Sequence, residues 1–195
     1  MDLRLKGKVV FIAGASRGIG LGMARVFAKE GAKLALTGRG EASLDAAQAL
    51  LIGEGARKDD IITIAGDMTS SAVLAQALDA TEEKLGPVHC AIANVGLGVA
   101  PLGFDVSDAD WEADVKQNLL GGVYLAREAL KRILARAPED RVDANLILVS
   151  SIAGVDALGT PLTYSATKAA VNHTTKSLAK MVGKDNVRVN AIAPG

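Results

Sequence analysis

Two kinds of apolar pattern alternate along the chain. Short runs rich in Val, Ile, Leu and Ala predict strands over residues 8–13, 33–37, 61–65, 88–93, 145–150 and 187–193. Longer segments, apolar at every third or fourth position, predict helices over 19–30, 41–51, 71–85, 108–136 and 163–182. Ser107, three residues ahead of Asp110, resembles a capping box opening the fourth helix. The strand runs are nearly continuous in apolar character, so both faces of the sheet must be covered, which calls for parallel strands joined by right-handed helical crossovers. The expectation is a single α/β domain over residues 1–195, a doubly wound parallel sheet without internal repeat or linker.

Composition narrows the function classes. At 195 residues the chain suits one domain with a substantial core, and 49% apolar with 23% charged residues argues against disorder. Lys plus Arg balances Asp plus Glu at 22 each, with no basic stripe interleaved with aromatics, so nucleic acid is not an expected partner. No run approaches the ~20 apolar residues that cross a bilayer. Residues 1–7 lack the uninterrupted apolar stretch of a signal peptide, so no membrane partner and a cytoplasmic location are expected. The single Cys90 reads as a buried strand residue and excludes an internal disulfide or a cysteine cluster. His89 and His173 are isolated, and no metal site is expected.

The first strand runs into Gly14-Ala-Ser-Arg-Gly18-Ile-Gly20 and then directly into a helical segment. Strand, glycine turn and helix in that order bring backbone N–H groups and a positive helix end against a pyrophosphate, although such a turn also serves structure alone. The dinucleotide pattern places an acidic residue about 20 positions further on to hold a ribose hydroxyl. Here the second strand ends Thr37-Gly38-Arg39, with no carboxylate. Arg39 and Arg17 suit a 2′-phosphate instead, which predicts NADP(H) in preference to NAD(H). The same arginines also read as solvated surface residues, or as partners of Glu41. Asp67 suits an adenine amino group, or a cap for the helix that follows.

Tyr164 and Lys168 stand four apart on a predicted helix, one turn above each other on the same face. A free phenol titrates near ~10, too high for acid–base work at neutrality. A unit charge about 4 Å away at an effective dielectric of about 20 is worth ~4 kcal/mol, and a pKa unit is ~1.4 kcal/mol. A lysine at that separation is therefore expected to bring the phenol towards neutrality. Ser150 and Ser151 end the fifth strand, where either also suits a turn cap, and Asn118 lies inside the fourth helix, where a polar kink-filler is the plain reading. Trp111 reads as packing.

Together these residues resemble the short-chain dehydrogenase/reductase family over essentially the whole chain, and 3-oxoacyl carrier-protein reductases among its members. Gly14, Gly18 and Gly20 match its cofactor loop, Asp67 its adenine-side aspartate, and Ala93-Asn94-Val95-Gly96 part of its Asn-Asn-Ala-Gly element. Asn118, Ser151, Tyr164 and Lys168 match its catalytic tetrad in order and spacing. The resemblance implies a Rossmann-type fold with Tyr164 as acid–base, Ser151 orienting the carbonyl or alcohol, Lys168 acting on the phenol and holding the nicotinamide ribose, and Asn118 supporting a relay water. It implies cofactor contacts at Gly14, Ser16, Arg17, Gly18, Ile19, Gly20, Arg39, Asp67, Met68, Asn94, Gly96, Tyr164, Lys168, Pro194 and Gly195. Family members normally continue past this point through a substrate lid and a seventh strand, so about six strands without a lid are expected here. The implied function is an NADP(H)-dependent oxidoreductase acting on a small carbonyl or alcohol substrate, and the alternative is an NADP(H)-binding module without turnover. Ala166, Ala169 and Ala170 allow close helix packing, and the resemblance implies a homodimer or homotetramer.

Overall fold

Alternate side chains of the first strand enter opposite layers, and this fixes the architecture. In a computed structural model that describes residues 3–141 and 143–195, strand β1 (Val9–Ala13) is buried at every position. Val9, Phe11 and Ala13 join one core, with Leu74, Leu78, Leu125 and Ile133; Val10 and Ile12 join the other, with Ala24, Leu44 and Leu51. The near-continuous apolar character that periodicity alone cannot assign to one face is therefore the signature of a sheet covered on both.

The sheet holds six parallel strands in the order β3-β2-β1-β4-β5-β6, as expected for a doubly wound fold. They are β1, β2 (Lys33–Gly38), β3 (Ile61–Ala65), β4 (Val88–Ala93), β5 (Asn145–Val149) and β6 (Arg188–Ile192). Helices α1 (Gly18–Lys29) and α2 (Glu41–Gly53) cover one face. Helices α3 (Ser71–Leu85), α5 (Gly121–Leu134) and α6 (Leu162–Val182) cover the other. No helix among the described residues is long and apolar enough to cross a membrane.

The continuous helix expected over 108–136 is instead α4 (Asp108–Val115), a π-turn at Lys116–Leu120, and α5. The Gly121 N–H donates to the Lys116 carbonyl, one residue further back than in an α-helix. Asn118 sits inside this wide turn. Ser107 caps α4 as expected, accepting from the Asp110 N–H at 3.2 Å, but the Asp110 carboxylate returns to the Ser107 hydroxyl rather than to its backbone N–H. Ser70, not Asp67, caps α3, accepting from the Val73 N–H.

Two side chains replace backbone partners. The β1–β4 register shifts at Val9, and there His89 Nδ1 accepts the Val9 N–H at 3.1 Å. Arg136, just beyond α5, donates to the Val88 carbonyl at 2.7 Å and pairs with Glu82 of α3. Cys90 lies buried in β4, where loss of hydration pushes its thiol up to about 12, in keeping with a packing residue.

Leu125 is fully buried between α5 and the sheet. Leu125→Ala is expected to lower the unfolding free energy by about 2 to 5 kcal/mol, read by urea titration. A loss under ~1 kcal/mol would mean that this layer is not close-packed.

Candidate active site

A crevice of about 290 Å³ opens where the strand order reverses, between the C-terminal ends of β1 and β4. Gly14, Ser16, Arg17, Gly18 and Ile19 of the glycine turn line it, with Arg39, Asp67, Met68, Asn94 and Gly96 from the ends of the neighbouring strands. Gly20 does not line it, and its role is closure. A Cβ there would lie 2.0 Å from the Gly14 carbonyl oxygen, so only glycine lets the start of α1 settle onto the turn. Asn94 completes the brace, its Nδ2 donating to that same oxygen at 2.8 Å.

Gly38, Gly66, Val95, Leu97 and Gln117 also line the crevice and were not singled out from the sequence. A positional signal was present for the first two, because strands of a doubly wound sheet all point their C-terminal ends at the ligand side. Pro194 and Gly195 do not line it; the Pro194 carbonyl accepts the Ile152 N–H at 2.9 Å, one residue past Ser151, and Gly195 lies beside the Ile152 side chain.

Charge is arranged along one end. Arg17 and Arg39 are exposed and, among the described residues, form no ion pair, Glu41 included. The Thr69 N–H and then the Thr69 hydroxyl donate to Asp67 Oδ1 and hold that carboxyl below its ordinary range, with longer-range attraction from Lys116 and Arg39. Asp67 therefore stays an acceptor, turned by a local loop rather than by a helix cap.

The second half of the site is built on α6. Tyr164 in its first turn is half-buried, while Lys168 one turn later is 4% exposed. Burial lowers the Lys168 ammonium to about 8, and its Nζ donates to the Val149 carbonyl at 2.8 Å. The same Nζ stands 5.6 Å from the centre of the Tyr164 ring. The spacing of four thus does bring cation and phenol together, but the cation lies over the ring, with its hydrogen bond directed to the strand rather than to the hydroxyl.

The loop after β4 gathers the remaining groups. A Cβ on Gly96 would stand 3.0 Å from Asn118 Oδ1 and 3.1 Å from Lys168 Nζ, so a bare α-carbon lets both close around it. At Gly98 the same construction meets the Tyr164 ring at 3.6 Å. Residues 96–98 therefore pass along three of the four expected tetrad side chains, and Gly96 and Leu97 also line the crevice. Asn118 is buried, its Oδ1 accepting the Leu97 N–H at 2.8 Å.

The paired serines separate by role. Ser150 is buried and its Oγ donates to the Lys168 carbonyl at 3.1 Å, fastening the strand end to α6. Ser151 is half-exposed and caps the short turn Ile152–Gly154, accepting the Ala153 N–H at 3.1 Å. That bond uses a lone pair, so the Ser151 O–H stays available as a donor.

The family model described as short chain dehydrogenase matches residues 8–195. An NADP-dependent (R)-specific alcohol dehydrogenase of Lentilactobacillus kefiri is 35% identical over all of this chain and 75% of its own length. A 3-oxoacyl-[acyl-carrier-protein] reductase of Mycobacterium tuberculosis is 30% identical over 95% of this chain and 68% of its own. Among solved structures, a 7α-hydroxysteroid dehydrogenase complexed with NADH and 7-oxo glycochenodeoxycholic acid superposes with a TM-score of 0.89 at 27% identity, covering 100% of this chain and 72% of that one.

Lys168 gives a pH signature. Below pH 8 both states hold its proton, and the folded state bears the cost of a buried charge. Between about 8 and the unfolded 10.5 only the unfolded state is protonated, so stability from this group rises with pH across that window. Lys168→Met is thus expected to be more stable than the parent at pH 7 by about 1 to 3 kcal/mol, with the gap closing towards pH 10, by urea unfolding at several pH values. A variant less stable at pH 7 would mean that the bond to Val149 outweighs desolvation.

Proposed function

The chain belongs to the short-chain dehydrogenase family, and we propose that within it the protein is an NADP(H)-dependent oxidoreductase whose proton is carried by Tyr164. At the family level it is a dehydrogenase or reductase acting on alcohol and carbonyl groups. The observation that carries the finer reading is the meeting of Asn118, Lys168 and Tyr164 along residues 96–98, beside a crevice formed by the glycine turn.

That crevice fits a dinucleotide. Backbone N–H groups at the start of α1 suit a pyrophosphate, Asp67 an adenine amino group, and Arg17 with Arg39 a 2′-phosphate. When bound, the nicotinamide supplies or takes up hydride at the substrate carbon. The chain's own residues manage the proton and the developing charge. In reduction the Tyr164 O–H is donated to the carbonyl oxygen, and in oxidation the phenolate recovers a proton from the alcohol. The Lys168 charge beside the ring stabilises that phenolate, because in a buried site the attraction is weakly screened. Ser151 keeps a donor for the substrate oxygen, and Asn118 holds the Leu97 backbone that borders the crevice.

Preference for NADP(H) rests on Arg39 just past the end of β2 and on the absence of a carboxylate at that strand end. One relative is named NADP-dependent, while the solved hydroxysteroid dehydrogenase holds NADH, so the arginines decide the reading. Arg39→Asp is expected to weaken NADPH about 10-fold or more, from the loss of a charged hydrogen bond, and to leave NADH nearly unchanged in a fluorescence titration. Equal losses for both cofactors would contradict the phosphate contact.

Tyr164→Phe is expected to cut NADPH-dependent reduction of a ketone panel by about 100- to 10,000-fold, with NADPH affinity retained. Turnover at the parent rate would remove Tyr164 from the chemistry. Tight NADPH binding with no turnover by the parent on any carbonyl or alcohol would favour a cofactor-binding module instead.

A further inference from the structure

We propose that Asp114 is a positioning residue for this reaction, a buried carboxylate that locks the Asn118 amide in one orientation and ties its turn to the helix carrying Tyr164. The inference rests on the reading in which Asn118 and Tyr164 act in proton transfer. Asp114 lies in the last turn of α4 and is 8% exposed. Its Oδ1 accepts from Asn118 Nδ2 at 3.1 Å, and its Oδ2 accepts from the hydroxyl of Thr163, the residue immediately before Tyr164. Thr163 is fully buried and bonds across 49 positions of sequence.

Orientation follows from donor and acceptor types. A side-chain amide presents oxygen on one side and NH2 on the other, and a half-turn about its last torsion exchanges them. Asn118 is held between a group that only donates, the Leu97 N–H, and a group that here only accepts, the Asp114 carboxylate. Only one of the two amide orientations satisfies both, and it places Oδ1 against Gly96 on the side of Lys168 Nζ. The lock falls within the π-turn, a local widening of the helix of the kind often found at functional sites.

A packing role alone does not account for the residue. An apolar side chain of similar size would join α4 to α6 without the desolvation that a buried carboxylate carries, and such replacements are often neutral or stabilising. What the carboxylate adds is direction: two hydrogen bonds from one group, reaching the turn of Asn118 and the first turn of α6.

The test pairs a spectroscopic readout with kinetics on the whole chain. In the parent protein without cofactor, the Asn118 side-chain NH2 resonance, assigned by its loss in Asn118→Ala, is expected to be protected from solvent exchange. In Asp114→Leu, which fills the space but offers no acceptor, that protection is expected to be lost while the backbone spectrum stays folded. With NADPH and cyclohexanone or ethyl acetoacetate as probes, Asp114→Leu is expected to lower kcat by about 10- to 100-fold with NADPH affinity changed less than about 2-fold. In an Asn118→Ala background the same substitution is expected to add little. Retained protection, an unchanged kcat, or fully additive losses would each overturn the proposal. Should Asp114→Leu fail to fold, Thr163→Val removes one of the two bonds and is expected to lower kcat several-fold; an unchanged kcat overturns the proposal equally. A parent that turns over and is silenced by Tyr164→Phe, yet is indifferent to Asp114→Leu, sinks the Asp114 role alone. A parent and Tyr164→Phe with equal rates sink the wider reading.

Discussion

The buried ammonium of Lys168 is the constraint around which the site is arranged. A lysine at 4% exposure must find an acceptor, and it finds the last carbonyl of β5. That bond fixes how far α6 slides along the sheet edge. The Lys168 backbone carbonyl is in turn held by Ser150, so helix and strand end are joined twice within one residue. Tyr164, one helical turn earlier, receives its place from this seating, and the loop at residues 96–98 must run as glycine where it passes the ammonium. Burial also lowers the lysine to about 8, yet the ammonium is still the main form near neutrality, at a cost in folding free energy.

Much of the frame was legible because the physics that builds it is local. Strands apolar at nearly every position can only be covered on both faces, and the helices between them have room for right-handed crossovers alone. The observed helix α3 matches its sequence pattern end to end, and β3 and β4 do likewise. The misread element was the fourth helix. A π-turn adds one residue to a single turn and leaves the chain helical on both sides, too local a change for a periodicity read over residues 108–136 to register. The His89 contact at the β1–β4 register shift was hidden for a related reason: it depends on which strand lies next door, not on any pattern within either strand.

Site residues divided along the same line. Glycines at a strand–helix junction, and a phenol and an amine four apart, declare their chemistry in their own spacing. Asp114 does not. It follows Asp105, Asp108, Asp110 and Glu112 in an acidic stretch, where the natural reading of one more carboxylate is a solvated helix face. Only the fold reveals that this member of the series turns inward, because its partner Thr163 comes from a helix folded against α4 much later in the chain. Gly20 carries a gentler version of the same lesson: its place in the motif was plain, but its close approach to the Gly14 carbonyl shows only in the fold.

In the proposed reading the division also separates cofactor choice from chemistry. Arg39 stands beyond β2 and Arg17 in the glycine turn, both exposed on elements packed with α1 and α2. Asn118, Tyr164 and Lys168 belong to the π-turn and α6 on the other side of the sheet order, held by buried bonds to Asp114, Leu97 and Val149. Groups with no shared partner act nearly additively. Recognition at the arginine end can therefore shift without disturbing the lysine seat, because the central strands between them are buried on both faces and close-packed. The glycine crevice is common to both ends, and Asn94 is its hinge of support, bracing the Gly14 turn from the strand that also launches the loop past Lys168.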